Sequence, residues 1–281
     1  MIGAGIAFAL ALGITVYPLI STWYNDRHQS KIHTQYMEIV EQTDDSQLRK
    51  AWNLAQRYNA AIVPGAKVDA SFTREAIQAA SENYDSQLNL AGDGIMGYVE
   101  IPMIKVMLPI YHGTDAASLN AGIGHLLGTS LPVGGKNTHS VLTAHSGVAS
   151  QKLFSDLDQL KEGDIFYLKV LGVALAYQVD QIHTVLPHDT TYLGITEGED
   201  RCTLVTCTPF GVNTHRLLVQ GTRISYEEAE QVVEQQILEE VPKASTWVHQ
   251  YVLGIAYGIG IVAIAGGILL VVQLKRRRDN A

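Results

Sequence analysis

Hydrophobic and polar positions divide the chain into regions of different texture. Met1 to Ile20 carries no charged residue and is long enough to span a bilayer. Tyr251 to Val272 repeats this over 22 uncharged residues rich in Gly, Ala and Ile, and Lys275-Arg-Arg-Arg278 follows almost at once. These runs predict membrane helices over residues 1–20 and 251–274, with the basic tail 275–281 in the cytoplasm by the positive-inside bias. The residues before 251 then lie outside the cell. A cleaved secretory signal is the alternative for the first run, but no basic segment precedes it and no Ala-x-Ala site follows it.

Between the two runs the period changes. From Asn25 to about Leu88 the pattern is helical: Leu48, Ala51, Trp52, Ala55 and Tyr58 recur at three- and four-residue spacing, and Thr43-Asp44-Asp45 offers an N-cap. The pattern breaks at Pro64-Gly65, leaves a loop to Phe72, and resumes as a second helix over about 71–82. Residues 21–93 are expected to form a helical appendage. After Gly94 short strands take over: Gly97–Ile101, Ile104–Ile110 beyond Pro102, His139–His145, Asp164–Leu171, and Ala174–Leu186 after a Gly172 turn. Leu153–Leu160 predicts a brief amphipathic helix. Two further strands, Cys202–Thr208 and His215–Gln220, flank a turn built on Pro209, Gly211 and Asn213. Many short strands at close intervals predict one antiparallel barrel over 94–226, followed by an acidic helix within 227–250.

Composition narrows the functional classes. The 281 residues are 47% hydrophobic and carry a formal charge of −8. Lys275 to Asp279 contributes +3, four cations against one acid, so the rest of the chain carries −11. An acidic exterior argues against nucleic acid as a partner. The two cysteines stand five apart, an odd separation that points them to opposite faces of one strand and argues against a bridge. Cys202 reads as a core residue, which leaves Cys207 as one free thiol in an extracellular setting.

Cys207 therefore becomes the candidate nucleophile. It ends one strand, Arg216 begins the next, and the hairpin sets a permanent cation beside the thiol, which favours the thiolate and can later stabilise an oxyanion. A lone cysteine in a hairpin is also a common small core residue. Polar neighbours Thr206 and Thr208 and an upstream His145, where a strand gives way to Ser146-Gly147, favour chemistry. Thr206 is a candidate substrate or oxyanion contact. His125 and His215 belong to no metal-ligand spacing, His215 reads as structural, and no metal or cofactor is expected.

Taken together, Thr203-Leu-Val-Thr-Cys207, Arg216 nine residues on, and Thr143-Ala-His145 upstream resemble the signature of sortases, the cysteine transpeptidases of Gram-positive bacteria. Gly97-Tyr-Val-Glu-Ile-Pro102, Leu108-Pro-Ile-Tyr-His-Gly113, Gly124–Pro132 and Cys207-Thr-Pro-Phe-Gly211 are similar to the class C, pilus-polymerising branch, as is the C-terminal apolar run. The resemblance covers about Gly94 to Arg223. It implies an eight-stranded β-barrel and a triad of Cys207 as nucleophile, His145 as acid and base, and Arg216 as oxyanion stabiliser.

The resemblance further implies partners: a sorting signal of the Leu-Pro-x-Thr-Gly type cut between Thr and Gly, and a lysine amine of a second pilin that receives the acyl group. Class C enzymes also carry a lid with an Asp-Pro-aromatic motif. Here Val68-Asp69-Ala-Ser-Phe72 stands in that place without the proline, so Asp69 and Phe72 are lid candidates against an ordinary loop. Two rivals remain: a housekeeping sortase that joins surface proteins to cell-wall precursor, and an inactive membrane-tethered assembly or adhesion module.

Overall fold

The computed structural model describes residues 2–62, 83–146, 151–239, 252–258 and 260. The lid candidates Asp69 and Phe72, the helix expected over 71–82, and most of the run 251–274 lie outside them. Among the described residues no helix is long and apolar enough to cross a membrane. By contact the chain forms two compact units, residues 18–241 in one and residues 1–17 with 242–281 in the other.

Eight strands close a barrel. In chain order they are β1 (Ile95–Ile101), β2 (Val106–His112), β3 (Ile123–His125), β4 (Thr138–Thr143), β5 (Ile165–Val170), β6 (Val173–Val185), β7 (Asp200–Thr208) and β8 (His215–Ile224). Around the barrel the order is β1-β2-β3-β4-β7-β8-β6-β5, and β5 returns to β1. The expected all-antiparallel arrangement is corrected: β2–β3 and β4–β7 pair in parallel. Strand β3, three residues long behind the short helix Ala116–Ala121, went unpredicted because so brief a run has no readable period.

Alternation along the strands fills the interior. Ile101, Ile110, Leu142, Phe166, Leu204 and Val219 are fully buried in the main apolar cluster. Gly97 is required by close approach, since a Cβ there would lie 2.5 Å from the Lys169 carbonyl oxygen. The predicted helix over Leu153–Leu160 is also corrected. Leu153 takes a left-handed φ of 43°, Phe154 N–H donates to the His145 carbonyl at 3.1 Å, and only a 3-10 turn forms at Leu157–Gln159. The buried residues Leu153, Phe154 and Leu157 serve as a plug of irregular chain instead.

From residue 18 onward the N-terminal helices lie against this barrel within the same compact unit. α1 (Ile2–Gln42) lays Tyr36 and Val40 on Ile95 and Tyr98, and the Tyr36 hydroxyl donates to Met96 O and accepts from Leu171 N–H. α2 (Asp45–Ala61) starts on the expected cap, with the Asp44 carboxylate accepting from Ser46 N–H at 3.0 Å. Its Asn59 is buried and makes a two-way amide pair with the main chain of Leu131, at 2.7 and 3.0 Å. A further long helix, α3, spans Tyr226–Glu239 and seats Ala229 on Ile165, Tyr167 and Ala176.

Candidate active site

Three neighbouring strands, β4, β7 and β8, build the site. β7 pairs in parallel with β4 from Thr138↔Asp200 to Thr143↔Val205. The chain after Thr143 stays alongside: Ala144 N–H donates to Val205 O at 3.1 Å, Thr206 Oγ1 to Ala144 O at 2.8 Å, and Ser146 Oγ to Cys207 O at 2.6 Å. This continued register draws His145 next to Cys207. On the other edge Cys207 is paired directly with Arg216. With adjacent strands about 4.8 Å apart, the thiol stands in the middle of a row of three.

Strand pleating decides which way the row faces. Leu142, Ala144, Cys202, Leu204, Leu217 and Val219 belong to the barrel core, so their alternates point outward. His145, Cys207 and Arg216 share that outer face, and all three are half-buried. The β7–β8 turn holds them in line. Val212 and Asn213 N–H groups both donate to Pro209 O, and Gly211 and Asn213 take φ of 73° and 62°. The Arg216 guanidinium is fastened to this turn by Nη1, which donates to His215 O at 3.1 Å and Asn213 O at 3.3 Å.

Thr206, on the alternate pleat, also lines the cleft at Cys207. It is buried, and its hydroxyl donates to the Ala144 carbonyl, so it ties the nucleophile's strand to the one leading into His145. Ser146 does the same from the next position, a role that sequence reasoning missed; its signal was a hydroxyl directly after the histidine. Phe154, Asp158 and Phe210 line the cleft at Cys207 with Ser146 and Thr208. No run or spacing linked Asp158 to residue 207.

Cys202 and His125 are packed away from this row. Cys202 is free and wholly buried, and burial, with the Asp200 carboxylate next, pushes its thiol well above the ordinary range. His125 is fully buried between the Tyr84 hydroxyl, 2.8 Å from Nδ1, and Ser130 O, 2.9 Å from Nε2. Burial lowers it to about 4, so it is neutral. His215 Nδ1 lies 3.0 Å from the Thr214 hydroxyl. Among the described residues no group of three or more His, Cys, Asp or Glu is arranged to hold a metal.

This barrel, with a cysteine between a histidine and an arginine at one end of three strands, meets its relatives at this point. Residues 99–224 match the Sortase domain. The chain is 46% identical to the crystal structure of sortase C of Streptococcus pneumoniae, over 70% of this chain and 97% of that one, with a TM-score of 0.62. It is 42% identical to Clostridium perfringens sortase C, solved with the C-terminal cell wall sorting motif, over 70% and 99% of the two chains, with a TM-score of 0.59. To sortase A of Streptococcus agalactiae serotype III it is 30% identical over 118 residues, which span 41% of this chain and only 47% of that relative. The chain belongs to the sortase family. Its structural neighbours are class C sortases.

Proposed function

We propose that this chain is a class C sortase: a membrane-anchored cysteine transpeptidase that joins a sorting signal to a pilin lysine. The observation that carries the reading is the row His145, Cys207, Arg216 across β4, β7 and β8 on one outward face. The Streptococcus pneumoniae relative was solved for its catalysis and pilin substrate specificity, and that from Clostridium perfringens with a sorting motif, which supports the same substrate class here.

The steps follow from the three groups. The Cys207 thiolate attacks the carbonyl carbon of the signal's Thr, and the carbonyl electron pair moves onto oxygen. Arg216 is a permanent cation whose planar fork donates to that oxyanion, an effect worth about 3 kcal/mol of barrier. As the C–N bond breaks, His145 delivers its proton to the departing Gly amine and a thioacyl enzyme remains. A lysine amine then attacks the thioester, His145 takes its proton, and the Cys207 thiolate leaves. Thr206 and Ser146 act as positioning residues that hold the strand carrying Cys207 against the segment carrying His145.

Anchoring belongs to the same proposal. The uncharged runs 1–20 and 251–274, and the cations of Lys275–Arg278, support two spans with the barrel outside the cell and the tail in the cytoplasm. Tethering enzyme and both substrates to one surface raises effective concentration without added affinity.

The test uses the full chain in detergent micelles or bilayer discs, mixed with a Leu-Pro-x-Thr-Gly peptide and a pilin subunit. Mass spectrometry should find a Thr–Lys isopeptide that Cys207→Ala abolishes. Hydrolysis alone would mark a protease, and a product formed only with cell-wall amine would mark the housekeeping branch.

A further inference from the structure

We infer that His139 is a positioning residue for this site: from the outer face of β4 it fixes the β6–β7 connection, residues 186–199, which leaves β6 at Val185, the residue paired with Arg216. The inference rests on the reading of Cys207, His145 and Arg216 given above.

The outer face of β4, β7 and β8 is layered. Next to the row of three comes an apolar layer in which Val141, Val185, Leu193 and Leu218 are buried together, with Val205 against them. Val205 and Leu218 are each two residues from Cys207 and Arg216 on the same face. Leu193 comes from the β6–β7 connection, so this side chain is where the connection rests on the strands beside the thiol. A polar layer follows, made of His139, Thr203 and Gln220, all buried.

The polar layer has its protons dictated. His139 Nδ1 lies 2.8 Å from Gly194 O, and a carbonyl can only accept, so Nδ1 carries the hydrogen. Nε2 is then an acceptor, 2.6 Å from the Thr203 hydroxyl, which donates to it. Thr203 Oγ1 in turn accepts from Gln220 Nε2 at 3.0 Å, and the same amide donates to Tyr192 O at 2.6 Å. The main-chain oxygens of Tyr192 and Gly194 are thus gripped on either side of Leu193. The Tyr192 ring is also stacked on His183, with centroids 3.8 Å apart.

A second hydrogen on His139 would turn Thr203 from donor to acceptor at Nε2, while the Nδ1–H bond to Gly194 O would stay. Burial holds His139 below the ordinary histidine range; Gly194 O opposes this, Arg201 adds to it, and Glu199 and Asp180 oppose it. Arg201 is itself paired with Asp180 and Glu199. Neutral His139 is therefore the working form.

The experiment follows cleavage of a Leu-Pro-x-Thr-Gly peptide by the full chain in micelles. His139→Phe should raise KM about fivefold, the scale of one lost hydrogen bond, with kcat within about twofold. His139→Asn, whose amide can still donate to Gly194 O, should keep KM near the wild-type value. Thr203→Val, nearly isosteric, should raise KM as His139→Phe does, and the double variant should add little; this pair carries the test where His139→Phe fails to fold. Unchanged KM in both His139→Phe and Thr203→Val, or a fall in kcat alone, overturns the inference. Loss of cleavage in Cys207→Ala beside unchanged KM in those variants sinks only this inference, whereas cleavage surviving in Cys207→Ala sinks the reading beneath it.

Discussion

Two cysteines on one strand live in opposite worlds. Cys202 is sealed in the barrel core among Leu204, Val219 and Tyr177, where burial raises its thiol and nothing can reach it. Cys207, five residues on, faces outward at the strand's end, half-buried, with Arg216 paired across one edge and the His145 segment along the other. Residue type and strand are the same; pleat parity and position along the strand decide which thiol is packed in the core and which faces the cleft.

The contrast can be broken by swapping roles. Cys207→Ala should cut transpeptidation by roughly 10⁴-fold or more, the scale of losing a covalent nucleophile, while its thermal midpoint stays near that of the wild type; retained turnover would end the assignment. Arg216→Ala should come next, lowering kcat by about 10²–10³-fold, the scale of one oxyanion donor, and steady-state kinetics with the signal peptide would show it. Cys202→Ser should leave kcat intact but destabilise by about 1–3 kcal/mol, because a hydroxyl is buried in the core. Chemical denaturation measures that loss, and an unaffected stability would mean the core position is wetter than its burial indicates.

The smallest effect is in alkali. The Cys202 thiol is raised by folding, so the unfolded chain loses its proton first as pH rises past about 8.5. The stability contributed by the neutral thiol is present below that pH and declines above it. Comparing wild type with Cys202→Ala at pH 7 and pH 10 should show the wild type losing more. Equal losses would mean that the cysteine stays protonated, or not, alike in both states.

Much of this was legible before any coordinates. Odd spacing separated the cysteines, the hairpin put Cys207 opposite Arg216, and the motifs around residues 97, 124 and 203 carried the family resemblance. The helix cap at Asp44 was written in local chemistry. Less legible were Leu153–Leu160, whose helical period was overridden by burial of Leu153, Phe154 and Leu157 in a left-handed turn, and β3, too short to have a period. The strand-to-strand hydrogen bond of Thr206 was not legible either, because a sequence does not say which strand will lie alongside.

The sequence by itself determined the local facts: strand alternation, turn residues, the apolar runs, and which side chains have the chemistry to attack, shuttle a proton and steady an anion. Only the tertiary structure decided the parallel pairing of β4 with β7. That pairing brings residues 139–146 beside 200–207 across some sixty positions of chain, and so sets His145 next to Cys207 and threads His139, Thr203 and Gln220 into one relay. Local preference has no access to such a match, because strand partners are chosen by closure of the whole barrel and burial of its common core.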